Sequence, residues 1–505
     1  MRDSKVNRHV AGVRCLAIWT LALAASSAIE AVRAREPAYD IAIVNGRVMD
    51  PESGLDAILN VAIKGGKVVK ITRKPVAAKR IINASGLVVA PGFVDLHAHD
   101  HDMMTHRLHA RDGVTTALEL EFGTYPVKQW YERRRGTSPI NFGVSASHGM
   151  ARAVAKGAVE ANVLSGETHV DMALAASNLQ WTGEPTSASE REAMAAMLQQ
   201  QLDDGAVGIG YHLANTPGAD ESELRYFFSL SAANKTVNFI HYRSFEYVTP
   251  FEGAREVVET ARATGASAHA VHINSSALQA TSAVLALFDE ARKSGVDVST
   301  EVYPYTGAAS SLSDPRLAAM KDLGIEFGDL ELVATGERLT EESFKRYRTT
   351  TPDGMLIAHF MRQSDVDQAV EYPGTIIASD GGAFSEVEGH PRGAGTFARI
   401  FARYVRERKT LSLMEAIRRV SYLPARRLER IAPSMKWRGR LKRGSFADVT
   451  IFDPATIKDR ATYAEPDLPS AGIVYVLVNG VPVVDAGTFV DANKPGQPVY
   501  GQVTR

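Results

Sequence analysis

Two kinds of hydrophobic pattern divide this chain. From position 39 to about 74, apolar residues fall in short extended runs broken by turn residues: Ile41-Ala42-Ile43-Val44, Asn45-Gly46, Arg47-Val48-Met49, then Ala62-Ile63, Gly65-Gly66 and Lys67-Val68-Val69. Such runs separated by Asn-Gly or Gly-Gly predict hairpins. The pattern returns at 447–453 and 474–480. Two β segments flanking a long centre predict one small composite domain, a β-sandwich built from residues 38–95 and 433–505. The centre, residues 96–432, alternates apolar strand-like runs with amphipathic stretches at 190–202, 251–264 and 412–420. That alternation is the βα pattern of a (β/α)8 barrel, so the chain is assigned to the α/β class with a TIM barrel at its centre.

Composition narrows the choice of partner. The chain has 505 residues, 45% of them hydrophobic, enough for more than one ordinary domain. With 57 basic and 58 acidic residues the formal net charge is −1, which gives no field favouring nucleic acid or an anionic membrane. A small-molecule substrate is the expectation. At the N-terminus, Arg2, Lys5, Arg8 and Arg14 precede an apolar stretch at 16–29, and Val32-Arg33-Ala34 supplies small residues for cleavage. Residues 1–34 therefore read as a signal peptide, and the protein as exported, periplasmic or secreted. The apolar run is shorter than the roughly 20 residues that span a bilayer, so no membrane span is expected in the mature protein. Cys15, the single cysteine, lies in that segment, which excludes disulfides and thiolate ligands from the mature fold. The sequence fixes no oligomeric state.

The candidate chemistry sits where apolar runs end. Val88, Val89, Phe93 and Val94 read as a buried strand interrupted at Pro91-Gly92, and the run finishes in His97-Ala98-His99. Alternate residues of a strand share a face, so both imidazoles would point the same way at its carboxyl end, the end of a parallel barrel that carries chemistry. His241 follows 237–240, His272 follows Ala270-Val271, and Asp380 follows 375–379. Histidines and carboxylates converging from four strand ends suit a divalent metal. His269 is a local rival to His272, whereas His101, His106 and His109 are expected as exposed loop or helix histidines.

Longer stretches resemble the amidohydrolase superfamily, and within it the D-aminoacylase or N-acyl-D-amino-acid deacylase family. They are 91–99, Asp112-Gly113-Val114-Thr115-Thr116, Pro217-Gly218-Ala219, His241-Tyr242-Arg243-Ser244, Val302-Tyr303-Pro304-Tyr305-Thr306, Ser379-Asp380-Gly381, His390-Pro391-Arg392, Gly395-Thr396-Phe397 and Leu423-Pro424-Ala425. The resemblance implies a zinc-dependent hydrolase, with one or two ions, that removes the acyl group from N-acyl-D-amino acids. It implies His97 and His99 at one metal position, His241 and His272 at another, and Asp380 as the group that moves the proton. D-aminoacylases place a bridging cysteine where this chain has Phe122, which cannot ligate. Glu121 is the expected bridge, with Glu119 on the same strand face as its rival or as a carboxylate that orients an imidazole. Arg392 is expected to hold the substrate carboxylate, and Tyr303 to supply a hydroxyl donor. Arg243 is a second candidate cation that could instead brace a loop, and His148 either faces the pocket or supports it. Asn274 stands where the family commonly has a lysine, which removes one positive charge. A hydantoinase-like or dipeptidase-like amide hydrolase is the alternative, and a non-catalytic binding protein the third reading.

Overall fold

The computed structural model describes residues 38–502 except 176–178, 245–247, 315–316, 318–319, 322–323 and 383–388. Its centre is an eight-stranded parallel sheet, in order Phe93–Asp95, Val114–Thr124, Asn141–Ser147, Ile209–His212, Val237–His241, Ser267–Ala270, Val298–Val302 and Ile376–Ile377. The eighth strand meets the first through one bridge, Ala98 to Gly381, and through the Asp95 carboxylate, which accepts from the Ser379 N–H at 3.0 Å. A side chain thus completes the ring where the backbone ladder stops. The expected signal peptide lies outside the described residues. Among the described residues no helix is long and apolar enough to cross a membrane.

Local sequence explains where the outer helices start. Ala188–Asp203 begins at a capping box of Ser187 with Glu190, and Pro250–Thr264 at one of Thr249 with Glu252. Each box satisfies backbone N–H groups that the first helical turn leaves unpaired. The expected helix at 412–420 starts at its Ser412 cap but passes through a π segment, Arg418–Tyr422, before Leu423–Leu428. Pro424 has no N–H to donate back into the turn, which accounts for the change of pitch.

The terminal halves share one nine-stranded sheet. Val88–Pro91 is the seam: it runs parallel to Tyr39–Asp50 on one side and antiparallel to Val449–Phe452 on the other. Ile473–Val478 and Val481–Asp485 extend the sheet on the C-terminal side, Leu55–Lys64 and Lys67–Thr72 on the other. Gly65-Gly66 turns the expected hairpin with φ of 57° and 73°. Asn45-Gly46 does not turn the chain. It is a bulge inside the single strand Tyr39–Asp50, with the register jumping between Ile43 and Gly46. A Cβ on Gly46 would lie 2.4 Å from Val89 Cγ2, so tertiary packing converts a hairpin signal into a close approach.

Two further expectations need correction. The apolar run 88–94 is two strands in two sheets, divided at Gly92, so the boundary expected after residue 95 falls there instead. A Cβ on Gly92 would lie 2.2 Å from Thr115 Oγ1, and only glycine lets the chain cross between the domains at this point. The βα alternation is also interrupted between the seventh and eighth strands. Residues 303–375 hold a four-stranded antiparallel sheet of Ala308–Ser311, Met355–Ala358, Leu330–Leu332 and Glu337–Arg338, with its own core around Leu312, Phe344 and Leu356.

Candidate metal centre

Six barrel strands deliver polar side chains to one point at the carboxyl end. Glu121 lies at its centre, late in the second strand. One carboxylate oxygen, Oε2, faces His97 Nε2 at 3.2 Å and His99 Nε2 at 3.4 Å. The other, Oε1, faces His241 Nδ1 and His272 Nε2, both at 2.9 Å. A single carboxylate therefore stands between the two histidine pairs, in the arrangement a bridging ligand requires. Glu119, two residues earlier on the same face, approaches the far nitrogen of His99 at 2.7 Å. The geometry separates the two rivals: Glu121 faces both pairs and Glu119 orients one ring.

Three of the four rings, those of His97, His99 and His272, are turned by a partner on the outer nitrogen. His97 Nδ1 lies 2.6 Å from Glu301, His99 Nδ1 contacts Glu119, and His272 Nδ1 meets Ser275 and Ser276 hydroxyls at 3.0 Å. Such contacts fix the tautomer and leave the inner nitrogen as a lone-pair donor. His269, the rival to His272, points away from the centre, toward Glu301 at 3.0 Å and Ser299 at 2.7 Å. Glu301 was not singled out in the sequence. Its signal is a lone carboxylate in the otherwise uncharged strand Val298–Val302.

Asp380 joins the first pair. Its Oδ1 lies 3.2 Å from His99 Nε2 and 3.4 Å from His97 Nε2, and its Oδ2 forms an ion pair with Arg392 at 2.8 Å. Ligand atoms of His97, His99, Glu121 and Asp380 all lie within 4.8 Å of one another. Asp380 and His272 hold φ of 50° and 30°, the left-handed region that non-glycine residues seldom adopt. Strain of this kind persists where surrounding contacts over-determine the backbone.

Electrostatics test whether these residues fit a cation. Burial opposes charge on His97, yet Asp380, Glu121 and Glu301 outweigh it and push the imidazole well above its ordinary pKa. Burial likewise opposes charge on His99, and Glu119 and Asp380 outweigh it. The buried carboxylates thus demand positive charge from protons or from a cation. Inward-facing nitrogens and oxygens at this spacing fit a divalent metal of the zinc type.

The proposed substrate contacts fare differently. The Arg392 guanidinium lies over the Tyr303 ring, 4.7 Å from its centre. Arg392 Nε and the Tyr303 hydroxyl are buried with no hydrogen-bond partner among the described residues, and Asn274 Oδ1 is in the same state. Arg243, by contrast, is spent on Glu256 at 2.9 Å and on the carbonyls of Pro217 and Ala219, so it braces a loop. His148 is fully buried against Glu223 at 2.9 Å and stacks on Tyr211, away from the cluster. Arg243 leaves the substrate-contact set because its donors are consumed within the fold, and His148 because its ring is fully buried with Nε2 held by Glu223. His101, His106 and His109 are also buried rather than exposed; His101 and His106 contact each other at 3.1 Å, and burial depresses the basicity of all three.

Comparison with known proteins identifies the family. The amidohydrolase family profile matches residues 80–484. An N-acyl-D-glutamate deacylase of Alcaligenes xylosoxydans xylosoxydans is 31% identical over 88% of this chain and 93% of its own length. A D-aminoacylase of the same organism is 26% identical over 89% and 96%. Among solved structures, an N-acyl-D-glutamate deacylase of Bordetella bronchiseptica, complexed with zinc and a phosphonate mimic of the tetrahedral intermediate, superposes with a TM-score of 0.75 at 26% identity, covering 92% of this chain and all of that one. With the profile spanning most of the chain and the relatives aligned nearly end to end, the protein belongs to the amidohydrolase family, in its D-aminoacylase branch.

Proposed function

We propose that the protein hydrolyses the amide bond of N-acyl-D-amino acids, a linear carbon–nitrogen bond, with zinc at the cluster. The observation that carries the reading is Glu121, whose two oxygens each face two imidazoles, with Asp380 alongside. His97, His99, Glu121, His241 and His272 would hold the metal. Zinc held there would supply Lewis acidity toward the scissile carbonyl and would lower the pKa of water from 15.7 to about 7.

The chain's own residues supply the rest. Burial opposes ionisation of Asp380, but the Arg392 charge and the imidazoles outweigh it and hold the carboxyl far below the usual range. Asp380 is therefore a carboxylate able to take a proton from the attacking water. Passing that proton to the departing nitrogen lets the amine leave neutral instead of as an amide anion. Arg392 uses one edge to fix Asp380; its Nε, on a guanidinium that lies over the Tyr303 ring, is left to hold the carboxylate of an N-acyl amino acid. The relatives named N-acyl-D-glutamate deacylase and D-aminoacylase support the D series. We also infer export, on the basic-then-apolar pattern of residues 1–34.

The test is turnover of paired N-acetyl-D- and N-acetyl-L-amino acids by the purified protein, with bound metal quantified on the same sample. Cleavage confined to the D series with zinc present is expected. Zinc without cleavage of either series, together with opening of hydantoins, would replace this reading with the cyclic-amide one.

A further inference from the structure

The residues assigned so far leave one donor at the same strand ends without a role. His212 closes the fourth barrel strand, Ile209–His212. One ring nitrogen of His212, one of His241 and a carboxylate oxygen of Glu121 lie within 4.8 Å of one another. The His212 ring centre is 4.2 Å from that of His241. On its other side the ring stacks on Phe122 at 4.7 Å, with the two planes 11° apart. Phe122, which carries no ligating atom, is thus the surface against which an extra imidazole lies beside the second histidine pair.

We propose that His212 is a fourth donor at the second metal position, completing with Glu121, His241 and His272 a set of three imidazoles and one carboxylate. His272 belongs to the same set through its 2.9 Å contact with Glu121 Oε1, the oxygen that also faces His241. Four nitrogen and oxygen donors would match the four-coordinate ligation that zinc prefers. The second histidine pair then has a third imidazole beside it, and Glu121 is held from that side by three rings. This inference rests on the reading of the cluster as a metal centre.

The experiment titrates metal-free protein with Zn²⁺ and with Co²⁺, following stoichiometry, affinity and the visible Co²⁺ absorption that four-coordinate nitrogen and oxygen ligation intensifies. The parent, His212→Ala, His212→Phe and His241→Ala are compared. His212→Phe retains a ring to stack on Phe122 while removing the donor, and the unfolding midpoint of each metal-free variant reports whether the fold is kept. Expected is a loss of at least tenfold in affinity for one equivalent in both His212 variants, with weakened absorption for that equivalent and the other equivalent unchanged. His241→Ala should lose the same equivalent. If His241→Ala loses it while His212→Phe binds and absorbs as the parent does, His212 is a stacking residue and the proposal fails alone. A parent that binds no metal overturns both the proposal and the metal reading beneath it.

Discussion

Glu301→Gln and Glu301→Ala together test how the centre is held. Glu301 bonds two histidines at once, His97 Nδ1 at 2.6 Å and His269 Nε2 at 3.0 Å, and is fully buried. Burial opposes its ionisation, but the charge of His97 and hydrogen bonds from both rings hold its pKa at about 2, so it is a carboxylate at neutral pH. Glutamine keeps the shape. Its carbonyl oxygen can accept from His97 Nδ1–H, and its amide can donate to His269 if that ring donates instead to Ser299, 2.7 Å away. Only the charge is lost, and metal affinity should fall by about tenfold or less. Alanine removes both contacts and leaves two buried ring nitrogens unpaired, so affinity should fall toward 100-fold, the upper end for an orienting partner, or about 2.7 kcal/mol. The metal-free alanine variant should also lose roughly 1–3 kcal/mol of stability for each group left unsatisfied. Competition with a chelator measures affinity, and thermal unfolding of metal-free protein measures the second effect. Metal binding as tight as the parent's in both variants would show that Glu301 does not orient His97, and the argument from outer-nitrogen partners would have to be withdrawn for the other rings as well.

Three further outcomes follow from other parts of the fold. Asp380→Asn should reduce turnover by about 10²–10⁴ while bound metal stays at the parental level, and metal loss on the same sample would recast Asp380 as chiefly a ligand. Gly210→Ala should destabilise by about 1–3 kcal/mol or more and disturb Glu121, because the added Cβ would lie 2.4 Å from the Glu121 carbonyl oxygen and 2.6 Å from that of Leu120, a backbone clash no rotamer relieves; an unchanged unfolding midpoint would contradict it. Burial opposes ionisation of Glu223, yet His148, Arg152 and Thr186 outweigh it and hold its pKa at about 2 against 4.5 unfolded. A depressed carboxyl pKa contributes stability that is complete above about pH 4.5 and lost as pH falls toward 2, on the order of 3 kcal/mol for this shift. Glu223→Gln should flatten the stability of the metal-free protein over that window, and identical acid unfolding of parent and variant would refute the assignment.

The composite assembly of the terminal domain and the barrel alternation are both legible in the one-dimensional pattern, because several of the buried strands begin or run through apolar stretches and outer helices alternate with them. The insertion at 303–375 is not legible. Its strands are short and of mixed character, Ala308–Ser311 and Glu337–Arg338 carrying no apolar run, and only their antiparallel pairing reveals them. Asn45-Gly46 shows the same limit at smaller scale, since a turn dipeptide becomes a bulge when Val89 packs beneath it.

Within the site, the sequence by itself determined the donors at strand ends: His97 and His99 from their alternation, His241, His272 and Asp380 from the apolar runs that precede them, and Glu121 and Glu119 as the carboxylates available where Phe122 cannot ligate. Tertiary structure decided what each donor faces. That depends on rotamers and on strands far apart in sequence, such as the pairing of Glu301 with His97 across 204 positions. Only the fold could show that Glu121 stands between the pairs while Glu119 turns a ring. Only the fold could show Arg243 spent on Glu256 and His148 buried against Glu223, and set His212 beside His241. A residue's type fixes the chemistry it can offer; whether that capacity is free for function depends on which neighbours the folded chain sets within hydrogen-bond reach.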